Sequence, residues 1–484
     1  MSLRKQAVFG LMWTFAQQFG NQLIGFSVSL VLARILLPEE FGLIAMIAVF
    51  VAVGNGLLDS GLSKSLIRDG DADNSDYSTV FFFNLFAGLL IYLLAFISAP
   101  LISQFYDYPI LTNIIRVYCL SFLFTAATSV QLARLTKEMK FRTQTLVALP
   151  AAVIAGILGI VLAIKDFGVW SLVYSSLVNA IVSCILIWKY SGWYPSLSFN
   201  TAKFKKHWDY GYKLGLADLL NRFFNNIFLV IIGKYFSAAQ LGFYSRAETM
   251  KQFPVSNLDR ALNKVSFPLF IEIKDDPRRL RVAFKKLLKM VIFVVSPVLL
   301  MLAAMAEPLF RFLFTEKWLP SAPYFQVLCL SGLLFPLHSY NLGILNIYGR
   351  SDLFLKLEVY KKFLIVLVIL LAIPFGIYGL LWGQVALSLV AFFINAKYTQ
   401  KYIFYSPLRQ LWDIVPFFMV ASFSALLVWG IDYCFLKISS DLIRLLSGIT
   451  IGASFYLLIS KICKFEQLSQ LYDLTNGKIK RNLN

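Results

Sequence analysis

Between Gly215 and Asn226 the chain reads Gly-Leu-Ala-Asp-Leu-Leu-Asn-Arg-Phe-Phe-Asn-Asn, with Asp218, Asn221, Arg222 and Asn225 at i, i+3, i+4 and i+7. That spacing places the four polar side chains on one face of a helix. Together they can bind a charged, hydroxyl-rich ligand. Arginine donates to phosphate oxygens in bidentate geometry, and amides exchange hydrogen bonds with sugar hydroxyls. Asp218 and Arg222, one turn apart, can instead neutralise each other. A second polar set, Gln17, Gln18, Asn21 and Gln22, stands 200 positions earlier in the chain. A third lies between Leu241 and Phe270, where Arg246, Lys251 and Arg260 alternate with Glu248 and Asp259. Asp59, Asp218 and Asp259 are carboxylates that can take up a proton or bind Na⁺.

The elements that must position these residues are membrane helices. Hydrophobic residues make up 58% of the 484 and charged ones only 15%, which excludes an ordinary soluble domain. Runs able to cross about 30 Å of hydrocarbon fall near 10–33, 41–60, 80–101, 114–133, 145–164 and 169–188, then 214–232, 241–268, 287–306, 323–345, 359–373 and 377–396, with a last pair near 414–432 and 441–462. The fold class is therefore all-α, a polytopic membrane protein with fourteen transmembrane helices. An ionised side chain at mid-depth costs roughly 2.5 to 3.5 kcal/mol, so the polar stripes must face partners or a watery cavity. The segment at 241–268 is the most polar of all. A crossing there follows from loop parity, with a kink at Pro254; the alternative is an amphipathic helix lying on the inner leaflet.

A net charge of +19 invites nucleic acid, but its distribution excludes that reading. Basic residues cluster in alternate loops: Arg134 to Arg142, Lys203 to Lys206, Lys274 to Lys286, and Lys356 to Lys362. This is the positive-inside pattern, with both termini in the cytoplasm and anionic lipid as the partner of the basic loops. The stretch 274–289 has helical amphipathic spacing. Arg34 and Lys234 end their helices where snorkelling to headgroups is expected. Cys119, Cys184, Cys329, Cys434 and Cys463 lack metal or redox spacing, and His207 and His338 are too isolated to form a zinc site. No nucleotide loop or nucleophile constellation is present, so neither ATP hydrolysis within this chain nor a resident cofactor is expected.

The chain repeats itself. Gly42 matches Gly242, and Leu58-Asp59-Ser60-Gly61-Leu62-Ser63-Lys64 matches Leu258-Asp259-Arg260-Ala261-Leu262-Asn263-Lys264. Further on, Pro100-Leu101 matches Pro308-Leu309, Cys119-Leu120-Ser121 matches Cys329-Leu330-Ser331, and Phe167-Gly168-Val169-Trp170 matches Phe375-Gly376-Ile377-Tyr378. An ordered series with a slowly growing offset indicates a duplication. The expected organisation is a six-helix lobe at 1–188, an interfacial cytoplasmic linker at 189–213, a second six-helix lobe at 214–400, an added helix pair at 401–463 and a polar tail at 464–484. An even number of helices per repeat gives both lobes the same orientation, around a central cleft.

The N-terminal pattern from Gly10 to Gly42, with Ala33-Arg34 and Pro38-Glu39-Glu40-Phe41-Gly42, followed by Asp59-Ser60-Gly61-Leu62 and Leu66-Ile67-Arg68, resembles the polysaccharide exporters of the multidrug, oligosaccharidyl-lipid and polysaccharide flippase superfamily. The resemblance covers essentially the whole chain. It implies movement of an undecaprenyl-diphosphate-linked oligosaccharide, such as a lipopolysaccharide or exopolysaccharide repeat unit, from the cytoplasmic to the outer leaflet of a bacterial inner membrane. It further implies alternating access, coupling to an H⁺ or Na⁺ gradient, and the polysaccharide polymerase machinery as a neighbour in the pathway. The branch that carries peptidoglycan precursors has arginines in its first helices, where this chain has Gln17, Gln18, Asn21 and Gln22. Diphosphate binding is therefore expected from the second half. A multidrug exporter of the same fold is the alternative, although an acidic cavity would suit it better, and a polymerase or ligase would need a larger outer loop.

Overall fold

The computed structural model describes residues 3–59 and 61–475, apart from the side chains of 3–8, 11, 59, 213, 214, 217, 258–265 and 473–475. All its regular elements are helical. Two compact units divide the chain, Met1–Gly242 and Phe243–Asn484.

The first unit contains α1 (Leu3–Ile35), α2 (Pro38–Asp59), α3 (Leu62–Arg68), α4 (Asn74–Tyr106), α5 (Leu111–Tyr118), α6 (Ser121–Lys137), α7 (Phe141–Ile164), α8 (Val169–Ser191), α9 (Thr201–Asn225) and α10 (Ile227–Tyr235). α11 (Ala238–Glu272) crosses the division. The second unit continues with α12 (Pro277–Ala304), α13 (Ala306–Phe314), α14 (Ser321–Gly332), α15 (Phe335–Ile347), α16 (Ser351–Ala372), α17 (Gly376–Ile403), α18 (Pro407–Ile431), α19 (Asp441–Ile462) and α20 (Glu466–Thr475).

Among the described residues ten helical runs are long and apolar enough to cross a membrane. One of them, 351–403, joins α16 to α17 through the turn Ile373–Phe375. The helices carrying the polar sets, α1, α9 and α11, are not among the ten. Each is nonetheless long, and α11 runs unbroken for 35 residues through Pro254 and Pro268.

Several expected elements take a different form. The run at 114–133 is divided between α5 and α6 at Cys119-Leu120, and the run at 323–345 between α14 and α15 at Leu333-Leu334. The expected helix at 214–232 is interrupted at Asn226. The amphipathic stretch at 274–289 is not a separate surface helix but the start of α12, which continues without a break into apolar sequence. The stretch 189–213 is extended only between Gly192 and Asn200, because Asn200 caps α9 by accepting from the Ala202 and Lys203 amides. That extended piece is pinned to α4: Trp193 is buried, its indole N–H donates to Asn74 Oδ1 at 2.5 Å, and the Ser196 amide donates to Ser78 Oγ at 2.9 Å.

Packing inside the first unit depends on small residues, as expected where lipid removes the hydrophobic drive between helices. α7 buries Ala151, Ala155, Gly156, Gly159 and Ala163. A Cβ on Gly156 would lie 2.4 Å from Val28 Cγ2 on α1, and one on Gly159 would lie 3.0 Å from Ser175 on α8. In the second unit α12 is the central helix, buried along Leu280, Phe284, Leu288, Val291, Ile292 and Val295. Its neighbours are held by buried polar pairs. Asn341 and Gln410 exchange amide hydrogen bonds at 3.0 and 3.1 Å, and Arg444 makes a bidentate bridge to Asp432 with both contacts at 2.7 Å.

The repeat has a local geometric counterpart. The Leu37 amide donates to Glu40 Oε2 at 2.7 Å, and 200 residues later the Ser237 amide donates to Gln240 Oε1 at 3.2 Å. A Cβ on Gly42 would lie 1.8 Å from the Ala238 carbonyl oxygen, and one on Gly242 would lie 2.0 Å from the Pro38 carbonyl oxygen. Positions 38 and 42 thus contact 238 and 242 reciprocally, so each glycine admits its counterpart's helix start.

Candidate functional site

Arg222 and Asp218 face each other on α9, with Nε donating to Oδ2 at 2.6 Å, and about a third of each side chain is exposed. The pair that sequence left open is closed in this conformation. α9 packs along α2 and α3. A Cβ on Gly56 of α2 would lie 2.9 Å from Arg222 Cδ, so the guanidinium stem lies on bare backbone. Gly61, at φ +73°, makes the other approach, since a Cβ there would lie 2.4 Å from the Gly211 carbonyl oxygen. Immediately after the stripe the helix tightens: the Asn226 side-chain amide donates to the Arg222 carbonyl at 2.8 Å while its backbone N–H bonds back to Phe223 at 3.1 Å. Interrupted helices at membrane depth persist only where protein or a polar cavity satisfies their backbone.

Asn221 and Asn225 are exposed on the same helix. On α1, Gln18 and Asn21 are exposed and Gln17 and Gln22 half-buried. They share the outward face with Phe15, Phe19 and Leu23, while Gly10 and Gly20 abut Phe141 and Leu149 of α7. In the second unit Arg246 is buried, its guanidinium carbon 5.0 Å from the Phe314 ring centroid and 5.1 Å from that of Trp318. Lys251 is also buried and pairs with Glu248 at 2.7 Å, its stem against Gly332. The side chains of Asp59, Asp259 and Arg260 lie outside the described residues. Lys234, expected to snorkel, pairs with Asp107 at 3.0 Å.

One cluster escaped the sequence reading. His207, read there as isolated, is fully buried, with Nδ1 2.9 Å from Ser65 Oγ and Nε2 3.1 Å from Asp76 Oδ1. A carboxylate only accepts, so Nε2 donates. Around it Lys206 binds Asp69 at 2.5 Å, and Lys203 binds Asp73 at 2.5 Å and Asp76 at 3.1 Å. Lys206 and Lys203 hold the Asp69 and Asp73 carboxyls below the ordinary carboxylate range, and the lysines are raised in turn. Ligand atoms of Asp69, Asp76 and His207 lie within 4.8 Å of one another, a spacing open to a metal ion. Each already has a proton-bearing or hydroxyl partner, so the set acts as a clasp tying the start of α9 to α3 and α4. Its sequence signal was the acidic run Asp69, Asp71, Asp73, Asp76 set against Lys203, Lys205 and Lys206. Only the fold joins segments about 130 residues apart.

The polysaccharide biosynthesis protein family matches residues 31–323, more than half of the chain. The chain belongs to that family. Among its relatives it is 26% identical to the teichuronic acid biosynthesis protein TuaB of Bacillus subtilis (strain 168) over 486 aligned residues, covering 99% of both chains. It is also 26% identical to the lipopolysaccharide biosynthesis protein WzxC of Escherichia coli (strain K12), covering 87% of this chain and 86% of that one. Among solved structures, the inward closed conformation of the lipid II flippase MurJ superposes with a TM-score of 0.70 at 15% identity, covering 94% of this chain and 99% of that one. The inward-facing conformation of a multidrug resistance MATE family transporter gives 0.62 at 16% identity, covering 79% and 95%. These two likenesses establish the fold. This member of the polysaccharide biosynthesis family is thus an all-helical, multi-pass membrane protein of MurJ-like and MATE-like architecture.

Proposed function

We propose that the protein is a secondary transporter, not an enzyme, that flips an undecaprenyl-diphosphate-linked oligosaccharide from the cytoplasmic to the outer leaflet of a bacterial inner membrane. The observation that carries this is the amide and arginine stripe on an interrupted helix, in a family of polysaccharide biosynthesis proteins. The fuller arrangement we infer has fourteen crossings, both termini in the cytoplasm, six-helix lobes at 1–188 and 214–400 and an added pair at 401–463.

In this reading the lipid tail stays in the bilayer while the head enters a polar cavity. Gln17, Gln18, Asn21 and Gln22, with Asn221 and Asn225, exchange hydrogen bonds with sugar hydroxyls. Arg222 takes the diphosphate, with Arg246, Lys251 and Arg260 as further cationic groups for it. Arg222 donates to Asp218, so a diphosphate that takes Arg222 must displace that carboxylate. Protonation of Asp218, or a Na⁺ ion on it, releases Arg222; Asp59 and Asp259 are further carriers. This couples an ion gradient to loading through one side chain. Bilayer lipids surround the chain, and the polymerase machinery receives the product.

The deciding experiment follows a fluorescent undecaprenyl-diphosphate oligosaccharide in liposomes containing only this protein, with and without an imposed H⁺ or Na⁺ gradient. Protein-dependent movement is expected, faster with the correct gradient. The likeness to a multidrug transporter favours a second reading: if the labelled lipid stays in place while the same vesicles extrude a cationic dye, that reading replaces this one.

A further inference from the structure

At the start of α12 and α18 a cavity of about 480 Å³ is walled by Arg281, Lys285, Phe404, Tyr405, Arg409 and Trp412. Its charge is unbalanced. The one carboxylate in its lining, Asp413, is already taken by Lys285 at 2.8 Å, by Lys289 at 3.1 Å and by the Tyr405 hydroxyl at 2.8 Å. Neither Arg281 nor Arg409 makes an ion pair with a described residue, so two arginines line the cavity unneutralised among the described residues.

The rim differs in chemistry. Trp412 is 77% exposed, Phe404 64% and Leu408 63%. Large apolar side chains beside unneutralised arginines are ordinary at a membrane–water boundary, where tryptophan sits at headgroup level, and Arg278, Arg279 and Lys286 extend the basic end of α12. Basic pockets between membrane helices bind anionic headgroups, and a guanidinium matches a phosphate in bidentate geometry.

We propose that this pocket binds the phosphodiester headgroup of an anionic bilayer phospholipid, with Arg281 and Arg409 on the phosphate and acyl chains passing over Trp412 and Phe404. Its volume lies in the range of small-ligand sites, roughly 300 to 1,000 Å³, which suits one glycerophosphate head better than a head of several sugars. All its walls belong to the second unit, and none is a residue assigned to the oligosaccharide. Because the lipid would touch both α12 and α18, its occupancy stabilises their junction by mass action.

The test uses the full chain in mild detergent, titrated with phosphatidylglycerol or with phosphatidylcholine, reading retained lipid by native mass spectrometry and unfolding temperature in parallel. Wild type is expected to retain phosphatidylglycerol about tenfold better, a difference of roughly 1.4 kcal/mol, and to unfold later in its presence. Arg281→Gln with Arg409→Gln loses that preference while unfolding at the wild-type temperature in phosphatidylcholine. If the double variant fails to fold, each single variant is expected to lose part of the preference. Equal retention of the two lipids by wild type, or an unchanged preference in the folded variants, overturns the proposal. So does undecaprenyl diphosphate displacing phosphatidylglycerol from the pocket, which would assign it to the transported lipid instead. The retention and unfolding outcomes do not depend on whether the protein flips oligosaccharides.

Discussion

Arg222 serves two contacts at once, its side chain donating to Asp218 and its carbonyl accepting from Asn226, so ligand binding and helix geometry meet in one residue. Arg222→Ala is expected to abolish lipid-linked oligosaccharide transport in proteoliposomes while leaving membrane insertion intact. Arg222→Lys keeps the charge but not the fork and should retain only a minor fraction of the rate. Normal transport by Arg222→Ala would remove the diphosphate role. His207 is structural by contrast. His207→Ala strands Ser65 and one oxygen of Asp76, costing about 1 to 3 kcal/mol, readable as a lowered unfolding temperature in detergent. The surrounding ion pairs set a pH window. Asp69 and Asp73 are held below their ordinary 3.8, so their contribution is present above that value and lost as pH falls through the lowered folded pKa. Lys203 and Lys206 are raised above 10.5, so theirs is present below that value and lost as pH rises through the raised one. The difference in unfolding temperature between wild type and Lys206→Ala should therefore stay constant from about pH 5 to about pH 9; a slope within that range would mean that another group controls the clasp.

At the scale of elements, close approach of helices is decided by glycines whose missing Cβ faces backbone. Gly42 and Gly242 each face the carbonyl of the other half's helix start, where a flexible side chain could give way but a peptide oxygen cannot. Gly42→Ala should cost about 1 to 3 kcal/mol by overpacking, and Gly242→Ala about the same, measured as unfolding temperature. Retention of wild-type stability by both would show that the two helix starts can separate freely. The interruption at Asn226 was invisible to hydropathy, since α10 is strongly apolar and continues the same run. Its cause is a short amide side chain that competes for the Arg222 carbonyl, as asparagine does wherever a local hydrogen bond offers an alternative to the helix. The amphipathic stretch at 274–289 had periodicity but no visible end, and nothing between Lys286 and Met290 breaks a helix, so it runs on into α12.

For the whole molecule, the repeat expected from the offset matches is what would tie sequence to function. A duplicated half is the usual basis for alternating access, and the family match begins in the first repeat and ends in the second. Gradient dependence belongs at this scale: transport of the labelled polyprenyl-diphosphate oligosaccharide should rise several-fold when an H⁺ or Na⁺ gradient is imposed, and Asp218→Asn should flatten that response. An unchanged gradient response in Asp218→Asn would move the coupling role to Asp59 or Asp259.

Composition alone determined that this chain belongs in a membrane, while the offset matches between its halves carry only the expectation of a duplication. The faces of Asp218 to Asn225 and of Gln17 to Gln22 were equally legible, because helical periodicity is a local property and lipid leaves the backbone few other choices. Which polar groups meet was not. The pairing of Asp218 with Arg222 was one of two open possibilities, and the closed state depends on α9 lying against Gly56 and Gly61. His207 looked isolated because Ser65 and Asp76 are far from it in sequence. Arg281, in the basic run at the start of α12, and Arg409, a lone cation at the start of α18, had no visible connection until α12 and α18 came together. Local patterns are set by which residues follow one another, whereas a charge's fate depends on what the tertiary structure places within a few ångströms of it.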